Sequence, residues 1–419
     1  MARAVCPACE ACVSCQACFE CQSCVSCEQG FGGPPPPTLP LTERAVSATV
    51  YPTERCQLAC SYCFYFNYKR QFARKDMDKD TALALMDFLA KRAEREGAGV
   101  IHVGWFGAEP TLAMPFIEWF METARRRHPR FKWTCSITTN GVLLASERFA
   151  ERCRIFSHVV LSVDGVGEWH DTYRRFPSGR GSWQYVEKAI RNLQRLGIPF
   201  TARMTLAPEN VAGAYESVRA LVEMGVKNIF TGVVEEEVWD EESLWELRRQ
   251  YQLIADFLIS ELLRGNEVHW GQFRHGIDLI FREQPLGEHD HCGQLGNSMG
   301  VYVDGSIYTC HRAVGIPELK AGDVFEGIPP EAEARFARMF SRSRAVEVNG
   351  LQSYPFRERT HFGCLVANYE ARGDIHKTNA PLLKAYDESC ALAALKLFMA
   401  GRAHQSGLVY DVYFKGIVK

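Results

Sequence analysis

Six short apolar runs, each followed by a helix-patterned stretch, leave this chain few folds to choose from. The runs cover 45–51, 100–106, 132–139, 157–163, 198–206 and 227–233, and are rich in Val, Ile, Thr and aromatic residues. Between them, helical spacing of apolar residues marks 79–96, 114–127, 142–153, 182–196 and 210–224, with Asp80 and Ser182 as expected caps and Gly197 and Gly225 as expected stops. Strands that alternate with helices build a parallel sheet through right-handed crossovers, which closes or part-closes into a barrel. A long amphipathic helix over 240–264 then leads to a region poorer in regular elements, with a hairpin pattern over 301–308.

Composition narrows the function classes. With 419 residues the chain has room for two or three domains, and 47% hydrophobic against 23% charged residues is ordinary for a globular protein. A formal net charge of −2 offers no general attraction to nucleic acid or an anionic membrane, so neither is expected as a partner. No apolar run approaches the roughly 20 residues of a membrane span, and Arg3 is followed by no apolar core of a signal peptide. A cytoplasmic location is the expectation.

The 17 cysteines are unevenly placed. Eight stand three residues apart from Cys6 to Cys27, ahead of Gly-Phe-Gly-Gly and four prolines, Pro34 to Pro37. This stretch is expected to be disordered without metal or crosslinks, because it has too little apolar surface to bury. In a reducing compartment such cysteines point to metal or thiol chemistry rather than disulfides. Three more, Cys56, Cys60 and Cys63, follow the first strand in one loop. Their thiolates can hold three corners of a [4Fe–4S] cube and leave one iron open. The alternative is a zinc site completed by a distant His or Cys.

Cys56-x-x-x-Cys60-x-Tyr62-Cys63, directly after the first strand of a βα series, resembles the radical S-adenosylmethionine (SAM) superfamily. The resemblance implies a partial (β/α)6 TIM-like barrel in an α/β fold, and a cluster whose open iron is chelated by SAM. Reductive cleavage of SAM would then give a 5′-deoxyadenosyl radical that abstracts hydrogen from substrate. Three further segments are similar to the family's SAM contacts: Gly107-Ala108-Glu109-Pro110, with Ala108 where the family has a second glycine; Asn140 in 138–141; and Ser162 with Asp164 in 162–165. Each alone is an ordinary turn, but all fall just past successive strands, on the rim where parallel barrels keep their active sites. His170 to Arg174, with Gly179 to Trp183, resembles the segment after the fourth strand in peptide-modifying members. Arg174 is either a SAM-carboxylate ligand or one half of a loop ion pair.

Further on, Cys292, Gly305 and Cys310 resemble the opening of the SPASM/twitch extension, an iron–sulfur-binding α+β region. The resemblance implies one auxiliary [4Fe–4S] cluster on Cys292, Cys310 and Cys364, with Cys390 as fourth ligand or else a buried helix residue. Cys135 and Cys153 read as core. His311 stands where sulfatase-maturing relatives carry an acidic base, which argues against that reaction while leaving His311 as a candidate catalytic base.

The expected organisation is a Cys-rich tail and linker over 1–44, a radical SAM barrel over 45–239, a helical connection over 240–284 and an auxiliary-cluster region over 285–419. The first 44 residues leave no room for a winged-helix recognition domain, so peptide recognition is expected from the barrel or another chain. The tail suggests a thioether-forming maturase whose Cys-rich peptide substrate is either this fused segment or a separate precursor; a metal-binding tail is the rival. Carbon–carbon crosslinking and sulfatase maturation are the other enzymatic readings, and an iron–sulfur scaffold is the non-enzymatic one. The electron donor expected from the family is a ferredoxin or flavodoxin.

Overall fold

A computed structural model describes residues 42–67, 75–292, 295, 299–415 and 417. The expectations for the cysteine-rich tail lie outside the described residues. The strand-forming runs build one ten-stranded sheet in the order β10-β9-β8-β1-β2-β3-β4-β5-β6-β7. The strands are β1 (Thr42–Val50), β2 (Ala98–Trp105), β3 (Lys132–Thr139), β4 (His158–Ser162), β5 (Phe200–Leu206), β6 (Asn228–Val233), β7 (His269–Trp270), β8 (Met299–Val301), β9 (Ser306–Tyr308) and β10 (Lys320–Asp323). Neighbours from β1 to β7 all pair in parallel, giving a partial barrel.

Period-two alternation decides which face of the sheet meets the helices. Val46, Ala48 and Val50, then Ile101, Val103 and Trp105, then Trp133, Cys135 and Ile137, are buried on one face. Each large apolar side chain so covered stabilises the fold by about 1.5–3 kcal/mol. The other face carries Ser47, Thr49, His102, Thr134, Ser136, Thr138, Ser162, Thr201 and Arg203, none of them fully buried. Small polar side chains there leave the barrel interior open rather than packed.

The helices fall where their apolar spacing places them, at Lys79–Glu96, Met114–Arg127, Trp183–Arg195, Ala214–Glu223 and Glu241–Leu263. Three details differ from expectation. Asp78, not Asp80, caps the first of these by accepting from the Thr81 N–H at 2.7 Å. Ser182 stands at the cap position of Trp183–Arg195 but makes no capping bond; Asp171 accepts from the Trp183 N–H instead, at 2.9 Å. The stretch expected as a helix over 142–153 breaks into a 3-10 turn, one α turn and a second 3-10 turn. The cause is Asn192, whose amide donates to the carbonyls of Leu144 and Ala145 at 2.8 and 3.1 Å, taking acceptors that a continuous helix needs.

The C-terminal region joins the barrel through its sheet. β8 lies parallel to β1, and the β8–β9 hairpin turns at Gly305, whose φ of +85° suits glycine. The sheet therefore runs across the boundary expected near residue 285. A last long helix, Ala380–Ala403, packs on Glu241–Leu263 and Gly271–Phe281. Among the described residues no helix is long and apolar enough to cross a membrane.

Candidate active site

The loop leaving β1 carries Cys56, Cys60 and Cys63, and the ends of β2, β3 and β4 surround it. Glu109 is the pivot. Its backbone N–H donates to the Arg55 carbonyl at 2.9 Å, tying β2's end to the cysteine loop. Its carboxylate, 1% exposed, accepts from Thr111 N–H at 3.1 Å, Thr111 Oγ1 at 2.5 Å, Thr139 Oγ1 at 2.7 Å and Asn140 N–H at 2.7 Å. Burial raises its pKa, while these donors oppose the rise. Pro110 opens a short 3-10 turn that Glu109 caps. Gly107 adopts φ +106° with its missing Cβ aimed at the Tyr51 ring, where a methyl would sit 2.4 Å from Cδ1. Ala108 beside it is half-buried, so the departure from glycine at that position is accommodated.

Two donors reach the Cys56 sulfur: the Leu58 N–H at 3.4 Å and Asn140 Nδ2 at 3.8 Å. Asn140 Oδ1 accepts from Gln57 Nε2 at 3.3 Å, and the other amide atom of Gln57, Oε1, is buried without a partner. As free thiols, Cys56 is pushed up to about 12 by burial and then by Glu109, and Cys60 to about 11 by burial with Arg174 opposing.

On the β4 side, Asp164 is 1% exposed and its carboxylate is fully engaged. Oδ2 accepts from the Tyr62 hydroxyl and from Arg174 Nε at 2.7 Å, and Oδ1 accepts from the Thr205 N–H at 3.0 Å. Asp164 therefore positions Tyr62 and Arg174, with the guanidinium 5.5 Å from the Tyr62 ring centroid. Burial works against the charge on Arg174, but Asp164, with Tyr62 and Cys60, outweighs it and the pKa of Arg174 is raised. Ser162 ends β4, half-buried on the interior face and in register with Arg203 of β5. His170 is wholly buried: Nδ1 accepts from Asp164 N–H at 3.3 Å and Nε2 faces Ser182 Oγ at 3.0 Å. Because Ser182 Oγ donates to the Arg174 carbonyl at 2.8 Å, it must accept from His170, which fixes a neutral Nε2–H ring. Burial, then Arg174, holds its pKa well below the usual value.

A second group of cysteines faces a cavity of about 330 Å³. Arg203, Phe230 and Gly232 of the barrel line one side, and Cys292, His361 and Cys364 line the other. Cys292 interacts electrostatically with Cys310, and Cys364 with Cys310 and Glu235. The Glu235 carboxylate accepts from the Cys364 N–H at 2.7 Å. Cys390 stands apart. It is fully buried in Ala380–Ala403, its carbonyl is where a Cβ on Gly276 would be, and its thiol interacts with Asp387 rather than with the other three cysteines. Cys135 and Cys153 are buried in the core.

His311 follows Cys310 at the end of the hairpin. The Tyr51 hydroxyl donates to its carbonyl at 2.7 Å, and its ring meets Phe106 edge-on at 4.6 Å between centroids. Burial, then the Arg203 charge, lowers it to about 4, so the ring is neutral. Neighbouring Arg312 pairs with Glu236 and, at 3.1 Å, with Glu370. The hairpin thus brings residues more than two hundred positions away to the β1–β2 rim.

The family model described as the radical SAM superfamily matches residues 50–221, which span this first site. Residues 50–221 are thus a radical SAM domain. It is 27% identical over 270 residues to a cysteine-type anaerobic sulfatase-maturating enzyme of Clostridium perfringens, covering 61% of this chain and 71% of that one. It is 26% identical over 297 residues to a serine-type enzyme of Bacteroides thetaiotaomicron, covering 64% and 70%. Among solved structures, native anSMEcpe with bound AdoMet superposes at a TM-score of 0.68 with 18% identity, covering 86% of this chain and 99% of that one. Streptococcus suis SuiB bound to precursor peptide SuiA gives 0.53 and 17%, covering 79% and 74%. At these identities the structural likeness speaks for the fold alone.

Radical SAM chemistry uses a [4Fe–4S] cluster and SAM, and the donors present fit both. Three thiols share one loop with N–H donors on Cys56, and a coordinating thiol deprotonates outright, which reverses the upward pKa push. Among the described residues no three His, Cys, Asp or Glu converge as single-ion ligands. A cube makes no such demand, since it spreads its thiolates over separate irons. The orphan Gln57 Oε1 and the open interior beside Ser162 suit a polar ligand such as SAM. Sequence reasoning missed Gln57, Arg203 and Glu235. For Arg203 a signal existed: a lone cation inside the strand run Phe-Thr-Ala-Arg-Met-Thr-Leu.

Proposed function

We propose that this radical SAM maturase acts on a cysteine-containing peptide and forms thioether crosslinks, with its own N-terminal cysteine-rich segment as the first candidate substrate. The observation that carries this reading is the cavity joining the barrel interior at Arg203 and Phe230 to Cys292 and Cys364. A peptide held there lies beside Cys292 and Cys364. Neighbours described as anSMEcpe with a bound Kp18Cys peptide and SuiB with precursor peptide SuiA support a peptide substrate.

In this reading Cys56, Cys60 and Cys63 hold the cluster, and Gly107, Ala108, Glu109, Pro110, Asn140 and Ser162 shape the SAM site around it. Bound there, SAM supplies the 5′-deoxyadenosyl radical that removes a hydrogen atom from the peptide. Asp164 orients Tyr62 and Arg174, leaving the outer nitrogens of Arg174 free for a carboxylate. Residues 285–419 form the auxiliary region, with Cys292, Cys310 and Cys364 as cluster ligands and His311 as proton acceptor. A ferredoxin or flavodoxin is the electron source.

Trypsin tests this directly, because no Lys or Arg lies between Arg3 and Arg44 and all eight tail cysteines leave in one peptide. The reconstituted enzyme is given SAM and reductant anaerobically, and that peptide is weighed after reduction and alkylation. A loss of two hydrogens and one alkylatable thiol per crosslink, alongside 5′-deoxyadenosine, is expected. A second reading, sulfatase maturation, is favoured by the curated relatives. A sulfatase-derived Cys peptide that loses sulfur and gains an aldehyde would establish it instead.

A further inference from the structure

Arg203 sits on the interior face of β5 with its side chain exposed, and it belongs to the cavity wall. Its guanidinium uses one edge: Nη1 donates to Thr205 Oγ1 at 3.0 Å. Its carbon centre lies 5.8 Å from the Phe230 ring centroid. Among the described residues no carboxylate lies within ion-pair distance of it. The charged groups around it are already committed. Asp164 serves Tyr62, Arg174 and Thr205, Glu235 accepts from Cys364, and Arg312 takes Glu236 and Glu370. A guanidinium with five donors and one side-chain partner that opens onto a cavity keeps N–H groups free for an anion. Planar, stacked on an aromatic ring and with free N–H groups, it matches the two oxygens of a carboxylate.

Two carboxylates could reach the cavity, one from SAM and one from the peptide. Arg203 shares its wall with Phe230, Cys292 and Cys364, whereas Cys56, Cys60, Cys63 and Asn140 do not line this cavity. Arg203 is also within electrostatic reach of Tyr62, Asp164 and Arg174, so what favours the peptide is the wall it shares with Cys292 and Cys364. The cysteine-rich segment has the matching chemistry: between residues 4 and 41 its only charged residues are Glu10, Glu20 and Glu28, and each is directly beside a cysteine.

We infer that Arg203 is a specificity-determining residue that binds the carboxylate of an acidic residue adjacent to the cysteine to be modified. This rests on the peptide-maturase reading above and adds a sequence requirement to it.

The probe is a fluorescent synthetic peptide with the sequence of 16–30, compared with a version carrying Gln at positions 20 and 28. Its binding to the full chain is read by anisotropy, in a host carrying Glu10→Gln, Glu20→Gln and Glu28→Gln so that its own segment does not compete. Arg203→Met is expected to weaken the acidic peptide at least tenfold and to leave SAM binding by equilibrium dialysis unchanged. The Gln peptide should lose as much on the host with Arg203 intact, and the two changes together should cost no more than either alone. That intact-host comparison stands even where Arg203→Met does not fold, and Arg203→Lys, charged but without the fork, should recover only part of the affinity. Equal binding of both peptides to the host overturns the inference and leaves the maturase reading intact. Weakened SAM binding with unchanged peptide binding overturns it too, by assigning the carboxylate to SAM. No binding of either peptide to the host removes this peptide class, and the inference with it.

Discussion

Single residues at the rim show how little slack the site has. Gly107 is held by both backbone and space: φ is +106° and the Tyr51 ring fills the position of a Cβ. Gly107→Ala is expected to cost about 2–4 kcal/mol, the sum of a strained backbone and an overpacked contact. Denaturant midpoints check this, and a shift worth under about 0.5 kcal/mol would count against the geometry. Glu109 makes a different case. Its folded pKa is raised by burial, so its contribution is fully present below the unfolded value and declines as pH rises through the folded one. Its four donors limit that decline. Cys390 answers a question that spacing left open. Fully buried between helices, it is expected to behave as a core residue: Cys390→Ala should leave bound iron unchanged and cost about 1 kcal/mol of stability. Lost iron in a folded variant would instead return it to the ligand set.

At the level of elements, the strand runs were legible because alternation on a half-buried sheet leaves a period of two in the sequence. The five helical stretches were legible from their apolar stripes, and four of them formed nearly as patterned. The fifth failed at 142–153 because the competitor for its carbonyls, Asn192, is more than forty positions away. Caps erred for a similar reason, since Asp171 reaches Trp183 across a loop. Helix pairing also depends on such contacts. Arg127 at the end of Met114–Arg127 donates to Asp87 through Nε and Nη2, both at 2.7 Å, and His128 adds Nε2 at 2.8 Å. These bonds, those from Arg127 first, lower Asp87 to about 2. A depressed folded pKa gives stability present above the unfolded value near 3.8 and lost as pH falls toward about 2. The pair is partly exposed, so the contribution is below about 1 kcal/mol. The gap in thermal midpoint between the natural chain and Asp87→Asn should be constant above pH ~5 and narrow below pH ~4. A gap that widens on acidification would reject the assignment.

Across the whole molecule, the β8–β9 hairpin does the joining. By adding to β1 it extends the barrel's own sheet and carries Cys310 and His311 to the rim beside Tyr51 and Phe106. The site cysteines then fall into two groups, Cys56, Cys60 and Cys63 in the loop after β1, and Cys292, Cys310 and Cys364 by the cavity. If each holds a cube, the reconstituted chain binds about eight irons, and removing either trio leaves about four. Replacing Cys56, Cys60 and Cys63 with Ala should abolish 5′-deoxyadenosine formation, while replacing Cys292, Cys310 and Cys364 should spare SAM binding. Iron assay with paramagnetic resonance of the reduced variants separates the two. Loss of all iron from either triple variant would mean a single site.

By itself the sequence determined the βα order, the loop holding Cys56, Cys60 and Cys63, and the rim position of Glu109, Asn140 and Asp164. These depend on local period, turn chemistry and adjacency along the chain, which a sequence displays directly. Tertiary structure alone decided that Asp164 is spent on Tyr62, Arg174 and Thr205, that Cys390 lies between helices, and that Arg203 faces a cavity with no carboxylate at ion-pair distance among the described residues. Each of those depends on what packs nearby from distant parts of the chain, and burial turns that neighbourhood into charge, hydrogen bonding and an open binding surface.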